Sequence, residues 1–249
     1  MSQRLQRLAV RMLYDPELVD QIYTGQPVEG LSPADRALLT AGPRTAWGID
    51  RLRRSRTLQA LLEEYSVSAT FTGLPVLHGF FSASEFHDCI QNRGRLIEAF
   101  GRWLEPRAGR VAVLERSIAQ SRRDDPVPTG VIRRAPGLVP VSLPADTLQI
   151  WQQIRAQLGA QPLSHLVSKT FRPIVLPPPS GEVAHWLIER GPGGDVQLGG
   201  GSEALNGLLS AAPAPRGVLL QVAVALGAST EEAGEIIDDL LQEGLLEET

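Results

Sequence analysis

Residues 217–249 read GVLLQVAVALGASTEEAGEIIDDLLQEGLLEET, and this stretch predicts how the C-terminal part of the chain folds. Apolar residues recur at helical spacing as far as Leu226, and Gly227 then supplies a C-terminal cap. Ser229 is followed three residues later by Glu232, the pattern of a capping box that starts a second helix. Two helices joined by so short a turn predict a helix-turn-helix.

This predicted helix-turn-helix carries no positive charge. Residues 217–249 contain neither Lys nor Arg. Its acidic residues are Glu231, Glu232, Glu235, Asp238, Asp239, Glu243, Glu247 and Glu248. A helix that enters a DNA groove needs cations, because the release of counterions from the phosphates supplies most of the affinity. We therefore expect a scaffold that binds peptide or protein. A winged-helix transcriptional regulator that binds DNA is the alternative, because such proteins share the apolar pattern.

Upstream of the helices the pattern becomes β-like. Three stretches predict short strands, at 172–176, 183–189 and 195–198, and the last two form a hairpin around the glycines at 191–194. A helix that begins at Ser202 follows. The sequence thus predicts a small winged-helix-like domain of order β-β-β-α-α-α over residues 171–249.

The rest of the chain predicts a second, helical domain. Residues 1–123 show helical apolar spacing with capping signals such as Asp15-Pro16. Residues 124–170 are interpreted as a Pro-rich linker plus a helix, with 131–132 and 139–141 as candidate short edge strands. The predicted fold class is α+β, with a helical N-terminal domain followed by the winged-helix-like domain.

Composition separates the two halves of the 249-residue chain. Residues 1–134 carry 19 Arg and 15 acidic residues, whereas residues 135–249 carry five cations and 13 acids. Such a split favours two domains with different surfaces. Cys89 is the only cysteine, so no intramolecular disulfide framework is expected. The first helix is interrupted by arginines and resembles no signal peptide, so the sequence predicts a cytoplasmic protein.

No catalytic constellation is apparent in the sequence. Acidic pairs are adjacent in the chain and diverge on a helix, and no nucleophile motif or phosphate loop is present. We therefore expect a chain that is not an enzyme, with no catalytic residue, metal ligand set or cofactor of its own. His87 and Cys89 form a lone H-x-C pair, which favours a packed helix turn. A role for these two residues in a metal site or an unrecognised enzyme is left open.

A short basic run lies within residues 51–56. Its cations are Arg51, Arg53, Arg54 and Arg56. Because the chain as a whole is acidic, we interpret the run as a solvated face or a docking surface for an acidic partner, rather than a nucleic-acid site.

Two parts of the sequence resemble known families. The segments 31–39, 50–64, 80–87 and 99–103 resemble accessory proteins of peptide natural-product biosynthesis. Those proteins are obligate partners of multinuclear non-haem iron oxidative enzymes in methanobactin- and thiaglutamate-type pathways. The resemblance covers about residues 1–123 and implies a partner-docking domain, with the iron in the partner enzyme.

The C-terminal order of elements resembles the recognition element with which such pathways hold the leader of a ribosomally made precursor peptide. The resemblance implies a non-catalytic subunit that binds this leader by strand addition and presents it to the enzyme. Carried over, the element implies an edge strand at 195–198 and a groove walled by the last helix. Its candidate peptide-binding residues are Val196, Gln197, Leu198, Glu235, Ile236, Asp239 and Leu240. A plain interaction scaffold outside peptide biosynthesis is a further alternative.

Overall fold

The fold comes from a computed structural model that describes residues 3–48, 52–123, 126–159, 164, 166, 168, 171–191, 193 and 195–249. It contains both helices and strands, which confirms the α+β class. The α-helices described are α1 (Gln3–Met12), α2 (Pro16–Tyr23), α3 (Pro33–Leu39), α4 (Arg53–Glu64), α5 (Ser66–Thr72), α6 (Leu74–His78), α7 (Ser84–Gln91), α8 (Leu96–Ser121), α9 (Thr147–Leu158), α10 (Glu203–Ala211), α11 (Arg216–Ala225) and α12 (Thr230–Gln242). The strands described are β1 (Ile132–Arg134), β2 (Val139–Pro144), β3 (Val183–Arg190), β4 (Val196–Gly200) and β5 (Leu246–Glu248).

The chain folds into two compact units. The first comprises Met1–Gly109 and Gln157–Leu176, and the second Arg110–Ala156 and Pro177–Thr249. This division differs from the sequence-based boundaries after residues 123 and 170. One transition falls inside α8, where Gly109 has φ 52° and ψ −135°, a conformation that glycine adopts far more readily than other residues.

The first unit is helical, and its helix starts follow the local sequence. Asp15 caps α2 by accepting a hydrogen bond from Leu18 N at 3.2 Å, and Pro16 occupies the first turn. Apolar residues of α1, α2 and α3 share one core cluster. A second core is aromatic, in which Phe80 lies 5.0 Å from Phe100 between ring centroids, an edge-on geometry that favours aromatic pairs.

The second unit contains a three-stranded antiparallel sheet of order β2-β3-β4. Its first strand, β2, lies in the segment that we interpreted as a linker, and both candidate edge-strand regions of that segment contain strands. The predicted strand at 172–176 is wrong, because the structure shows no strand there. Val175 is 86% exposed in that segment, and prolines at 173 and 177–179 lack the N–H donors of a sheet. The β-β-β-α-α-α order therefore begins at β2, and α9 interrupts it.

The two faces of this sheet contact different helices. Val141 of β2 and Ile188 of β3 pack with Leu114 and Ile118 from the second half of α8. Leu187 of β3 packs instead against the core formed by α10, α11 and α12. Neighbouring strand residues point to opposite faces, so the sheet lies between two helical layers.

The C-terminus closes the second unit. β5 pairs with β1, and Arg133 lies opposite Glu247 in the antiparallel register. Their side chains form an ion pair with Arg133 Nη2 and Glu247 Oε2 2.8 Å apart. The apolar pair at 245–246, which follows α12, is thereby joined to residues 131–134.

Within the residues described, no helix has both the length and the apolar character needed to cross a lipid bilayer.

Candidate peptide-binding site

The predicted edge strand is present as β4, at the margin of the sheet. In the described part of the chain, β4 pairs with β3 alone, with Ile188 opposite Leu198 and Arg190 opposite Val196. The other side of β4 therefore carries backbone polar groups that no strand satisfies.

The backbone hydrogen bonds show which residues of β4 face outward. Gly191 N donates to Asp195 O at 2.8 Å, and Gly201 N donates to His185 O at 2.8 Å. Hydrogen-bonded pairs alternate along an antiparallel ladder, so residues 195, 197, 199 and 201 direct their N–H and C=O groups to β3. Val196, Leu198 and Gly200 direct theirs to the open edge.

The opposite margin of the sheet is less suited to strand addition. β2 contains Pro140 and Pro144, and proline lacks the N–H that a ladder needs. β4 reads VQLGG, with neither proline nor a charged residue to protect its edge. Of the two margins, β4 is the one that can accept an added strand along its full length.

The structure does not bring the predicted apolar contacts together in one groove. Val196 and Leu198 pack with the cluster that contains Leu114 and Ile188, on the face of the sheet toward α8 and α9. The pairing explains this placement, because Leu198 lies opposite Ile188 and residues that pair across strands share a face. Of the three predicted contacts on β4, only Gln197, which is exposed, lies on the other face.

The last helix takes part in a groove of its own. This groove has a volume of about 510 Å³ and lies between α10, the turn after α11, and α12. Leu226 and Ile236 are 41% and 39% exposed there and provide apolar surface. Its complete lining is Ala204, Leu205, Leu208, Ala223, Leu226, Gly227, Ala228, Glu232, Glu235, Ile236 and Asp239. We call it the acidic groove.

The charge of the acidic groove has one sign. Glu232, Glu235 and Asp239 line it, and its lining contains no Lys or Arg. Glu232 also completes the predicted capping box, in which its Oε2 accepts a hydrogen bond from Ser229 N at 2.8 Å. Hydrogen bonds from the Ser229 side chain and backbone lower the pKa of Glu232, so this carboxylate stays charged at neutral pH.

Three predicted site residues, Glu235, Ile236 and Asp239, lie together in the acidic groove. Leu240 does not, since it is 7% exposed and belongs to the helical core with Ile237. Leu226 was missed by the sequence reasoning, which assigned it to the stripe of α11. The available signal was its place directly before the Gly227 turn, where a helix ends and its last apolar side chain leaves the core.

The predicted docking arginines are not equivalent. Arg51 lies outside the described residues. Arg54 is tied into the first unit, because its Nη1 donates to Tyr14 O at 3.0 Å and its Nη2 to His78 O at 2.8 Å. Arg53 is half-buried near the Tyr14 ring, at 6.0 Å from the centroid, whereas Arg56 is exposed. Arg54 therefore serves the packing of its own unit, whereas Arg56 remains exposed.

His87 and Cys89 both lie on α7 and are 7% and 8% exposed. Burial raises the pKa of the Cys89 thiol, so it is less reactive than an exposed cysteine. In the described part of the chain, no group of three or more His, Cys, Asp or Glu side chains is arranged to hold a metal ion.

The sequence was compared with models of protein families and with curated proteins, and neither comparison gave a match.

Proposed function

We propose that this protein is a non-catalytic subunit that binds the leader of a ribosomally made precursor peptide and presents it to an iron-dependent oxidative enzyme. The observation that carries the peptide-binding part is the open edge of β4. Among the described residues, three alternate positions of β4 direct N–H and C=O groups outward that no other strand satisfies, which is what an added strand requires. The enzyme partner rests on the resemblance of residues 1–123.

The acidic groove supports the same proposal and specifies the peptide. β4 ends at Gly200, and Ala204 at the beginning of α10 already lines the groove. A chain of four residues spans at most about 14 Å, so the Cα atoms of Gly200, at the end of β4, and of Ala204, in the groove lining, lie within that distance of each other. One peptide of modest length therefore reaches both. The strand segment would pair with β4, and a segment with basic and apolar residues would occupy the groove.

Because Val196 and Leu198 face α8 and α9, the affinity of the β4 edge for a peptide comes mainly from backbone pairing. Backbone pairing gives affinity with little dependence on sequence, since every residue except proline carries the same donor and acceptor. We therefore assign sequence selectivity to the acidic groove. A leader bound in this way gains local concentration and orientation at the partner enzyme, without any catalytic residue in this chain.

A peptide selection on the full-length chain tests the binding function. Short random peptides are displayed on phage and enriched on the immobilised protein, and the enriched peptides are then labelled and titrated by fluorescence anisotropy. We expect enrichment of peptides that combine Lys or Arg with apolar residues, and saturable binding of each. Failure to enrich any peptide, together with tight and salt-sensitive binding of a DNA duplex, would favour the DNA-binding regulator instead.

Co-expression tests the enzyme partner. The chain is expressed with a candidate iron-dependent oxidative enzyme of the kind that the resemblance implies, and the mixture is separated by size exclusion with iron measured in each fraction. The proposal predicts co-elution, with iron present only when the enzyme is present. Separate elution of the two proteins at every concentration tested contradicts the partner role while leaving peptide binding intact.

A further inference from the structure

A second cleft lies in the first unit and is formed by other elements than those of the acidic groove. It has a volume of about 480 Å³ and is lined by residues of α1, α2 and α7 and of the loop at 27–29. This volume is in the range of small-molecule sites, which are commonly about 300–1,000 Å³.

The cleft is basic because of the sequence of α1. Arg4, Arg7 and Arg11 follow one another at spacings of three and four, which places them on one side of the helix, and all three line the cleft. Glu29 is the one acidic residue in the lining. The cleft therefore carries an excess of positive charge in a chain that is negative overall.

The three arginines differ in the hydrogen bonds and ion pairs that they already make within the protein. Arg4 Nη2 donates to Glu29 O at 3.3 Å, and Arg7 Nη2 forms an ion pair with Asp88 Oδ1 at 3.1 Å. Arg11 is half-buried, and its Nε is buried without a hydrogen-bond partner in the described part of the chain. A buried guanidinium nitrogen is almost always paired in folded proteins. Arg11 Nε therefore has room for a hydrogen-bond acceptor that the described residues do not supply.

His87, which lines the cleft from α7, also has buried nitrogen atoms without a hydrogen-bond partner within the described residues. Its side chain is 7% exposed, and both Nδ1 and Nε2 are buried without a partner among the residues described. The neighbouring Phe86 ring meets the imidazole edge-on, at 5.4 Å between centroids, and fixes its orientation without supplying a polar group. Burial and the charges of Arg11 and Arg7 lower the pKa of His87 to about 4, so the ring is neutral at pH 7 and has one N–H to donate.

We propose that this cleft binds a small oxyanion, a carboxylate or phosphate group held by the guanidinium groups of Arg11 and Arg7 with the N–H of His87 as a further donor. A guanidinium matches such oxygens in both charge and planar geometry. Leu8, Leu18 and Val28 also line the cleft, so it accommodates an apolar body attached to the anionic group. The site is independent of the peptide-binding function proposed for the second unit.

Calorimetric titration of the full-length protein tests the site, with inorganic phosphate in one arm and succinate in the other. The proposal expects saturable one-to-one binding of at least one of them. Binding of phosphate alone identifies the source as a phosphate group, and binding of succinate alone identifies a carboxylate. Arg11→Gln and His87→Phe should each weaken the binding about tenfold or more, with Arg11→Lys between Arg11→Gln and the unchanged protein.

Arg216→Gln is the matched control, because it removes the same charge from an arginine of the second unit that pairs with Asp238. It should bind the anion as the unchanged protein does. The circular dichroism spectrum and melting temperature of every variant are measured first. The absence of saturable binding of both anions overturns the proposal. So does binding that Arg11→Gln and Arg216→Gln weaken equally, since that result shows only general screening of positive charge.

Discussion

Asn206 on α10 donates from Nδ2 to the backbone oxygen of Val141 on β2 at 2.9 Å, and its side chain is buried. The same nitrogen lies 3.3 Å from Trp186 O on β3, so one amide joins the helical layer to two strands of the sheet. The backbone oxygens of Val141 and Trp186 would lose this donor if the side chain were shortened.

We predict that Asn206→Ala lowers the free energy of unfolding by about 0.5–1.5 kcal/mol, the usual net contribution of one hydrogen bond, because Val141 and Trp186 keep the bonds that they exchange with each other in the β2–β3 ladder. Urea denaturation of the full chain, followed by circular dichroism, measures the change. Ser210→Ala is the control, because Ser210 is exposed on the same helix and its removal should change the stability by less than about 0.5 kcal/mol. Equal stability of both variants would show that the amide contributes no more than a surface residue.

The sequence predicts those parts of the fold that local interactions determine. The capping box of Ser229 and Glu232 is present as predicted, because it requires only residues three positions apart. The Asp15-Pro16 helix start is likewise confirmed. Helix ends of this kind depend on backbone groups within one turn, so the local sequence specified these two.

Strand pairing depends on distant residues, and there the sequence was less informative. β2 lies within a proline-rich segment and is a strand because it pairs with β3, whose paired residues lie about 40 to 50 positions later. The β-rich stretch at 172–176 has no such partner and is not a strand. Local β-propensity was similar in both, so the presence of a partner decided the outcome.

The candidate sites follow the same division. The charge of α12 is readable from the sequence, and Glu235 and Asp239 do line one groove. The face of β4 on which Val196 lies depends on its register with β3, which no local pattern fixes. The basic cleft joins α1 to His87, about 80 positions away, and its only sequence signal was the arginine spacing in the first helix.

Gly200 provides a direct test of strand addition. Its N–H faces the open edge of β4, and a Cβ built at this position meets no atom within 4 Å. Gly200→Pro removes that N–H without disturbing the bonds between β3 and β4, so the folded structure should persist. We expect the affinity for a selected peptide to fall about tenfold. The peptide would lose one hydrogen bond and could no longer lie close to the edge of β4 at this position.

Gly200→Ala is the matched control, since it adds a methyl group and keeps the N–H. Its peptide affinity, measured by the same fluorescence anisotropy titration, should stay within about twofold of that of the unchanged protein. If proline and alanine at this position have the same effect, the peptide does not pair with the edge of β4, whatever else it contacts.

The acidic groove should attract peptide cations through Glu235 and Asp239. We predict that the double variant Glu235→Lys, Asp239→Lys weakens the binding of a basic peptide about fivefold to tenfold at low ionic strength. Exposed charge pairs are individually weak, and salt screens them, so the difference should shrink as sodium chloride is added. Anisotropy titrations at two salt concentrations measure both effects.

Glu243→Lys is the control for charge alone, because Glu243 is exposed, follows the last turn of α12 and does not line the acidic groove. It makes the same kind of charge reversal directly after the same helix. The single variant Glu235→Lys is measured beside it. Comparable weakening by Glu243→Lys and by Glu235→Lys would mean that the peptide responds to the overall charge of the unit and does not occupy the groove.

The buried imidazole of His87 should make the stability of the protein depend on pH. Burial, with the charges of Arg11 and Arg7, lowers the pKa of His87 from 6.5 to about 4, although the nearby Asp88 opposes the shift. At a pH between 4 and 6.5, the imidazole of His87 binds a proton in the unfolded chain but stays neutral in the folded chain. The free energy of unfolding therefore falls as the pH falls through this window, by up to about 1.4 kcal/mol per pH unit, and this contribution is constant above pH 6.5.

His87→Phe removes the titrating group and keeps an aromatic ring beside Phe86. The difference in unfolding free energy between the two proteins isolates His87, because the carboxylates that also titrate in acid are common to both and cancel. Urea denaturation from pH 4 to pH 8, in buffers free of phosphate and dicarboxylates, provides that difference. This difference in unfolding free energy should be constant above about pH 6.5. Below pH 6.5 the unchanged protein should lose stability relative to His87→Phe. Parallel curves over the whole range would mean that His87 is protonated as readily in the folded protein as in the unfolded chain, which its burial between Phe86 and the arginines of α1 does not allow.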